Sequence, residues 1–373
     1  MSPIQNVPVW GDPGVTEILA LQESAIAYPG ANGGPVTRTL QRAGLLKRLR
    51  FLAQYHLNVT VHAGGAETVS PFGPLGSWVN NIAITANGQI PLVQMSGLGA
   101  QIYNEVQNRD GSVMAYPAYG AVSLLPTSAT LVKHDAIGAA AVGDFYGQYP
   151  FEFQFALPFN ISQSMQELGL WLLQNQAIDV GITMNFNTLQ TTAASNDVPW
   201  SGVVLTGTPT LADCQVLIER ELYNIPNDPK SYPNMMWAHQ IIEFVVPFAS
   251  KFSRFSIPRA GLLLRAVVIN LDAASGALVE NTDVLNLAYI YGSNETPIAR
   301  PGWAWNSEFL MDYNRMPPKG SIVLDFYKFG DNGLKLVKST EDLANLRIET
   351  TFSATTSGSQ RIILDRLIPV SAR

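Results

Sequence analysis

The heptad Arg42-Ala43-Gly44-Leu45-Leu46-Lys47-Arg48 returns in the second half of the chain as Arg259-Ala260-Gly261-Leu262-Leu263-Leu264-Arg265, with six of seven positions identical. Both copies open a run with strand character. Leu57, Val59 and Val61 alternate on one face downstream of the first copy, and the apolar run from Leu262 to Leu271 follows the second. Repetition at this distance points to a duplicated unit. A weaker echo keeps the same order. Ser164-Met165-Gln166-Glu167 precedes a short apolar stretch and a strand, and Ser339-Thr340-Glu341-Asp342 precedes the strand from Leu346 to Phe352.

Strand signals spread outward from both heptads. In the first half they cover Trp78 to Thr85, Phe151 to Leu157 and Ile178 to Phe186, and Asn87-Gly88 is a hairpin turn signal. In the second half they cover Ile241 to Pro247, Val284 to Tyr291, Ser321 to Phe329 and Arg361 to Val370. Helices are expected only from Val15 to Ala27 and after the capping box at Ser164 to Glu167. No strand–helix–strand series argues for a parallel α/β sheet. The expected fold is all-β: two eight-stranded antiparallel jelly rolls with short helices in loops. The expected division is an N-terminal arm over 1–35, a first jelly roll over 36–195, a linker and loop region over 196–239, and a second jelly roll over 240–373.

Composition narrows the class. The chain has 373 residues, 47% hydrophobic and only 14% charged, with a net charge of −6. Disorder needs the opposite balance, and a long coiled coil needs abundant charge. Between Arg109 and Arg220 the only Lys or Arg is Lys133, so that stretch cannot neutralise a row of phosphates, and no direct nucleic-acid binding is expected. Low charge with abundant apolar residues fits a surface covered by neighbouring subunits. No signal peptide or membrane-spanning helix is expected.

The search for chemistry finds no constellation. Cys214 is the only cysteine and reads as a small buried hydrophobe, so no intramolecular disulfide is expected. His56 and His62 share a strand face by parity but lack a clear third ligand, so no metal and no cofactor is expected. Glu219 and Glu221 could serve as a glycosidase acid and base, but nothing places them across a sugar. Gly64-Gly65-Ala66 lacks the spacing of a phosphate loop. Trp303 and Trp305 could stack on a sugar, or anchor a loop against a neighbouring subunit. With Trp171 and Trp237 they are the candidate interface or loop anchors. No catalytic residue is assigned, and the chain reads as non-enzymatic.

One further signal lies in the second half. The segment Ile241-Ile242-Glu243-Phe244-Val245-Val246-Pro247-Phe248-Ala249 leads into Phe252-Ser253-Arg254-Phe255-Ser256 and then the strand from Leu262 to Asn270. A tryptophan-containing segment, Trp303 to Phe309, and the turn Pro317-Pro318-Lys319-Gly320-Ser321 follow. In the first half, Phe72-Gly73-Pro74-Leu75 precedes Val79 to Ala83 and the Asn87-Gly88 turn. Together these resemble the major capsid proteins of the double jelly-roll, tectivirus-like lineage of membrane-containing icosahedral bacteriophages, over about half of the chain.

The resemblance implies a homotrimer with a pseudo-hexagonal outline, tiling an icosahedral capsid shell of the virion over an internal lipid membrane. It also implies contacts with neighbouring capsomers and with minor capsid or vertex proteins, and long loops, such as 107–150, forming outer towers. The shorter N-terminal region departs from the pattern of the best-known members. Two alternatives stay open: a minor capsid, spike or vertex protein, and a carbohydrate-binding β-sandwich with a groove lined by Trp303 and Trp305.

Overall fold

Gly44 and Gly261 each turn the chain into the long central strand of their own half, Leu45–Val61 and Leu262–Asp272. The computed structural model describes residues 18–30, 33–61, 68–69, 75, 79–88, 90–107, 142–155, 157–161, 164–169, 171–172, 179–187, 200–201, 203–205, 214–224, 234–273, 278–291, 295–318, 320–326, 338–340 and 346–369. Both central strands lie antiparallel to the last long strand of their half. Leu45 faces Tyr223, and Leu262 faces Leu367. Both pairings then slip at the same place, between Leu46 and Arg48 and between Leu263 and Arg265. A one-residue bulge repeated at one position of the heptad is a structural counterpart of the sequence repeat.

The principal strands pair in the same order in each half. In the first, one sheet runs Ile18–Ala27, Cys214–Tyr223, Leu45–Val61, Val142–Gln154, and a second runs Gly34–Thr39, Val180–Phe186, Val79–Ala86, Ile90–Met95. In the second half, one set runs Asn234–Phe248, Gly358–Pro369, Leu262–Asp272, Ser321–Asp325, and the other Phe252–Ser256, Arg347–Phe352, Val284–Tyr291, Glu295–Arg300. A short helix follows the same strand each time, Gly97–Gln107 after Ile90–Met95 and Gly302–Tyr313 after Glu295–Arg300. A two-residue strand also flanks each central strand: Trp171–Leu172 beside Leu46 and Leu45, and Lys338–Ser339 beside Leu263 and Leu262. This β-rich arrangement of antiparallel sheets and short helices is consistent with jelly-roll-type architecture.

Alternation builds each core. Val180, Ile182, Met184 and Phe186 are buried every second residue, facing Phe51, Phe151 and Phe153 across the first half. The Phe51 and Phe151 rings stack with centroids 4.8 Å apart. In the second half Leu287, Tyr289 and Ile348 pack with Val268, Ile322 and Leu364. The strand Leu262–Asp272 is buried without alternation, because its other side chains, Val267 and Ile269, join the first-half core.

Several expectations are corrected. The segment expected as a helix from Val15 to Ala27 is the strand Ile18–Ala27, paired with Cys214–Tyr223. The hydrogen bonds of that partner override a helical apolar spacing. The capping-box segment is the strand Ser164–Gly169, in a hairpin with Leu157–Ile161. Residues 18–27, 34–35, 214–223 and 234–239 lie in strands. The tower candidate 107–150 lies outside the described residues from 108 to 141.

Candidate assembly site

Where the two halves meet, the strand Ile90–Met95 runs parallel to Asn234–Phe248, with Val93 beside Ile241 and Gln94 beside Ile242. One continuous sheet therefore crosses from the first half into the second. The helix Gly97–Gln107 starts here because Gly97 has no side chain. A Cβ at that position would strike the Val79 and Leu75 carbonyls. Ser96 Oγ accepts from the Gly99 amide at 3.0 Å, and the Glu243 carboxylate accepts from Ser96 N and Oγ, at 2.5 and 3.1 Å, and from Arg361 at 3.2 Å.

The helix then lies on the second-half sheet. Tyr103 donates its hydroxyl to Asp365 Oδ2 at 3.0 Å, and Gln107 Nε2 donates to the same oxygen at 3.2 Å. His239 sits 2.5 Å from Asp365 Oδ1 through Nε2 and 2.6 Å from the Gln154 carbonyl through Nδ1. Beside them Arg265 donates to Asp325 Oδ2 from Nη2 at 2.8 Å and from Nε at 3.1 Å, and the Tyr313 hydroxyl donates to the same oxygen. Arg315 Nη2 reaches the Val106 carbonyl at 2.6 Å.

Burial shapes the charges. It pushes the Asp365 carboxyl upward, but His239, Arg265 and the Tyr103 hydroxyl outweigh it and hold Asp365 below the ordinary carboxylate range. Tyr103 is pushed well above its usual value, by burial first and Asp365 second. Burial carries Glu105 up to about 8, with Arg315 opposing. These groups form a buried joint between the halves, not a reaction centre. Every carboxylate oxygen of Asp365 is occupied by a donor of the chain itself.

The heptad repeat maps this joint onto a counterpart in the first half. Arg265 and Asp365 face each other in the second half, and Arg48 and Glu221 face each other in the first. Around them Lys47 donates to Glu221 at 2.6 Å, Arg48 donates to Glu221, and Arg50 donates to Glu219 at 3.0 Å. Burial raises the Glu221 carboxyl, yet Lys47 and Arg48 bring it below the ordinary range. A glycosidase acid needs the opposite shift, so Glu221 does not fit that role, and Glu219 and Glu221 are both members of an ion-pair ladder. The Arg50 side chain remains 46% exposed.

The tryptophan candidates do not converge. Trp305 is buried, donates its indole N–H to the Leu287 carbonyl at 3.2 Å and lies under the Arg300 guanidinium. Trp303 is 62% exposed on the same helix. The two rings therefore form no paired sugar platform. Trp237 is half-buried beside Leu157, Leu264 and Leu367. Trp171 lies in the short strand beside Leu46, and its side chain is outside the described residues. Leu310, Met311 and Met316 add exposed apolar surface on and after the Trp303 helix. Among the described residues no three His, Cys, Asp or Glu side chains are grouped to hold a metal, and no helix is long and apolar enough to cross a membrane. His62 lies outside the described residues.

Sequence reasoning missed Tyr103, His239, Glu243, Arg265, Asp325 and Asp365. Their signal is a charged or polar residue inside an apolar strand run, such as Arg265 within Leu262–Asp272.

No protein-family profile matches the chain, and no curated protein matches it. Solved structures do. The STIV MCP, from Sulfolobus Turreted Icosahedral Virus, superposes with a TM-score of 0.64 at 16% identity, covering 96% of this chain and 100% of that one. The PBCV-1 virus capsid gives 0.60 at 12% identity, over 94% and 93%. The major capsid protein P2 from Bacteriophage PM2 gives 0.53 at 11% identity, over 96% and 99%. The chain thus shares the fold of these viral capsid proteins along nearly its whole length.

Proposed function

We propose that this chain is a major capsid protein: a non-enzymatic building block whose copies form the icosahedral shell of a virion. One observation carries the reading. Counting principal strands, each half pairs its first, eighth, third and sixth in one sheet and its second, seventh, fourth and fifth in the other, which supports two eight-stranded jelly rolls per chain. The first roll then runs over 18–223 and the second over 234–369. Three chains carrying two rolls each make a pseudo-hexagonal trimer, the shape that tiles a closed shell.

The capsid fold of the solved neighbours supports this assignment over a carbohydrate-binding sandwich, and so does the separation of Trp303 from Trp305. The bacteriophage host, the tectivirus-like branch, the internal membrane and contacts with minor or vertex proteins rest on the sequence segments from Ile241 to Ser256 and from Trp303 to Ser321. The exposure of Trp303 supports its reading as an interface anchor.

Negative-stain class averages of the purified protein test the reading. Six lobes in a hexagonal outline are expected, and two-lobed single chains contradict it. Copy number in purified particles separates a shell protein from a vertex protein.

A further inference from the structure

Each half of the chain ends in a strand edge and a helix, but only one of the two sets is covered. The first set, Ile90–Met95 with Gly97–Gln107, is closed by the second half through Asn234–Phe248 and Asp365. The second set, Glu295–Arg300 with Gly302–Tyr313, is open. Among the described residues nothing pairs the outer edge of Glu295–Arg300, which ends its sheet. Among the described residues nothing pairs the outer edge of Ile18–Ala27 either, the strand that occupies in the first half the place of Asn234–Phe248.

The helices correspond residue by residue from their opening glycines. Gly97 sits against Val79, and Gly302 sits against Asn281 and Val284, each at the start of the same strand of its half. Counting from there, Leu98 corresponds to Trp303 and Val106 to Met311. Leu98 and Val106 are 4% and 2% exposed beneath the second half, whereas Trp303 and Met311 are 62% and 85% exposed. The same surface is covered in one half and bare in the other. Apolar groups of this size at a sheet edge are a liability unless something pairs with them.

We propose that a second copy closes the open set as the second half closes the first: Glu295–Arg300 adds in parallel to the edge of that copy's Ile18–Ala27, and Gly302–Tyr313 lies over its Arg48–Glu221 pair. This rests on the capsomer reading and names the contact that makes it. The register follows from the joint inside the chain. Gln94 pairs with Ile242, which faces Leu364, and the equivalent residue on the first-half strand is Leu21, which faces Arg220. Ala299 therefore meets Leu21 of the second copy. Leu19 and Leu21 are exposed on that strand. Glu308 on the helix accepts from Arg300 of its own chain at 2.6 Å. The helix residues equivalent to Tyr103 and Gln107, which donate to Asp365, are Glu308 and Asp312. The ladder facing them holds Arg48 and the half-exposed Arg50, each already paired within its own chain, Arg48 with Glu152 and Arg50 with Glu219, so the helix carboxylates share donors that those glutamates also use. A head-to-tail contact of this kind makes a ring where the rotation closes, and three copies with six rolls close it.

The test joins Leu21→Cys to Ala299→Cys in a Cys214→Ser background, with each single variant as control. Under mild oxidation the double variant is expected to run as disulfide-linked trimers on a non-reducing gel, and the single variants as monomers. In parallel, hydrogen exchange of the unaltered protein is expected to slow all amides of Ile18–Ala27 and Glu295–Arg300 to the level of Ile90–Met95. A trimer that neither links nor protects these edges overturns the pairing and leaves the capsomer reading standing. A chain that stays monomeric overturns both. If the double variant does not fold, the exchange pattern alone decides.

Discussion

Gly44 and Gly261 share one backbone conformation, φ +63° and +64°, and each faces a carbonyl on the last strand of its own half, Tyr223 for Gly44 and Leu367 for Gly261. A Cβ on Gly44 would lie 2.7 Å from the Tyr223 oxygen, and one on Gly261 would lie closer still to that of Leu367. The repeated heptad is therefore a repeated piece of geometry. A left-handed glycine admits the close approach of two strands, and a bulge follows at the same step.

Alanine at these glycines separates strain from crowding. Gly88 has φ +63° with open space around it, so Gly88→Ala should cost about 1 kcal/mol from the backbone alone. Gly44→Ala should cost more, and Gly261→Ala the most, about 3 kcal/mol or greater. Urea unfolding midpoints check the order, and an equal cost at all three contradicts it.

The buried ion pairs should outweigh the exposed ones. The side chains of Arg265 and Asp325 are 4% and 6% exposed, and those of Arg42 and Asp179 are 45% and 55% exposed. Arg265→Met strands the Asp325 charge and should cost about 3–5 kcal/mol. Arg42→Met should cost under about 1 kcal/mol. Denaturant titration of both variants reads the difference.

Glu105 gives the fold a pH dependence. Its carboxyl is raised from 4.5 to about 8 by burial, so the folded chain holds a proton that the unfolded chain releases. Its contribution to stability is fully present below pH 4.5 and falls as pH rises to about 8, by about 1.4 kcal/mol per pH unit at the steepest. Asp283 acts at the other end. Despite the upward push of burial, its bonds to Ser353, Thr355 and the Ala354 amide lower it to about 2, and the stability it adds is lost as pH falls toward that value. Unfolding midpoints between pH 5 and 9 should slope down in the parent protein and flatten in Glu105→Gln. An unchanged slope would show that Glu105 is not the group involved.

The two helix tryptophans should part ways. Trp305→Ala removes a buried ring with a satisfied N–H and should cost about 3–5 kcal/mol of folding stability. Trp303→Ala should leave the folding of the chain within about 0.5 kcal/mol and weaken self-association instead. Thermal unfolding and sedimentation, run on both variants, distinguish these effects.

Much of the β architecture was legible because half-buried strands alternate. Val180–Phe186 and Arg347–Phe352 display this in their buried residues, and the Asn87-Gly88 turn is realised with both residues at positive φ. Two kinds of element were not legible. Ile18–Ala27 is an edge strand exposed at most positions from Leu19 to Ser24, so no alternation marks it, and its apolar residues mimic a helix. Gly97–Gln107 carries two glycines in its first turn, which lower its helix propensity, and its polar positions Gln101 and Asn104 are buried rather than exposed. The joint residues were hidden for a different reason. Tyr103 and Asp365 are 262 positions apart, and only the parallel junction of the halves brings them together.

The mass of the unaltered protein under native conditions decides whether copies of this chain form the proposed trimeric unit of a shell. One dominant species at three times the 40.6 kDa of the chain is expected. A single species at the chain mass, at concentrations of tens of micromolar, would contradict it.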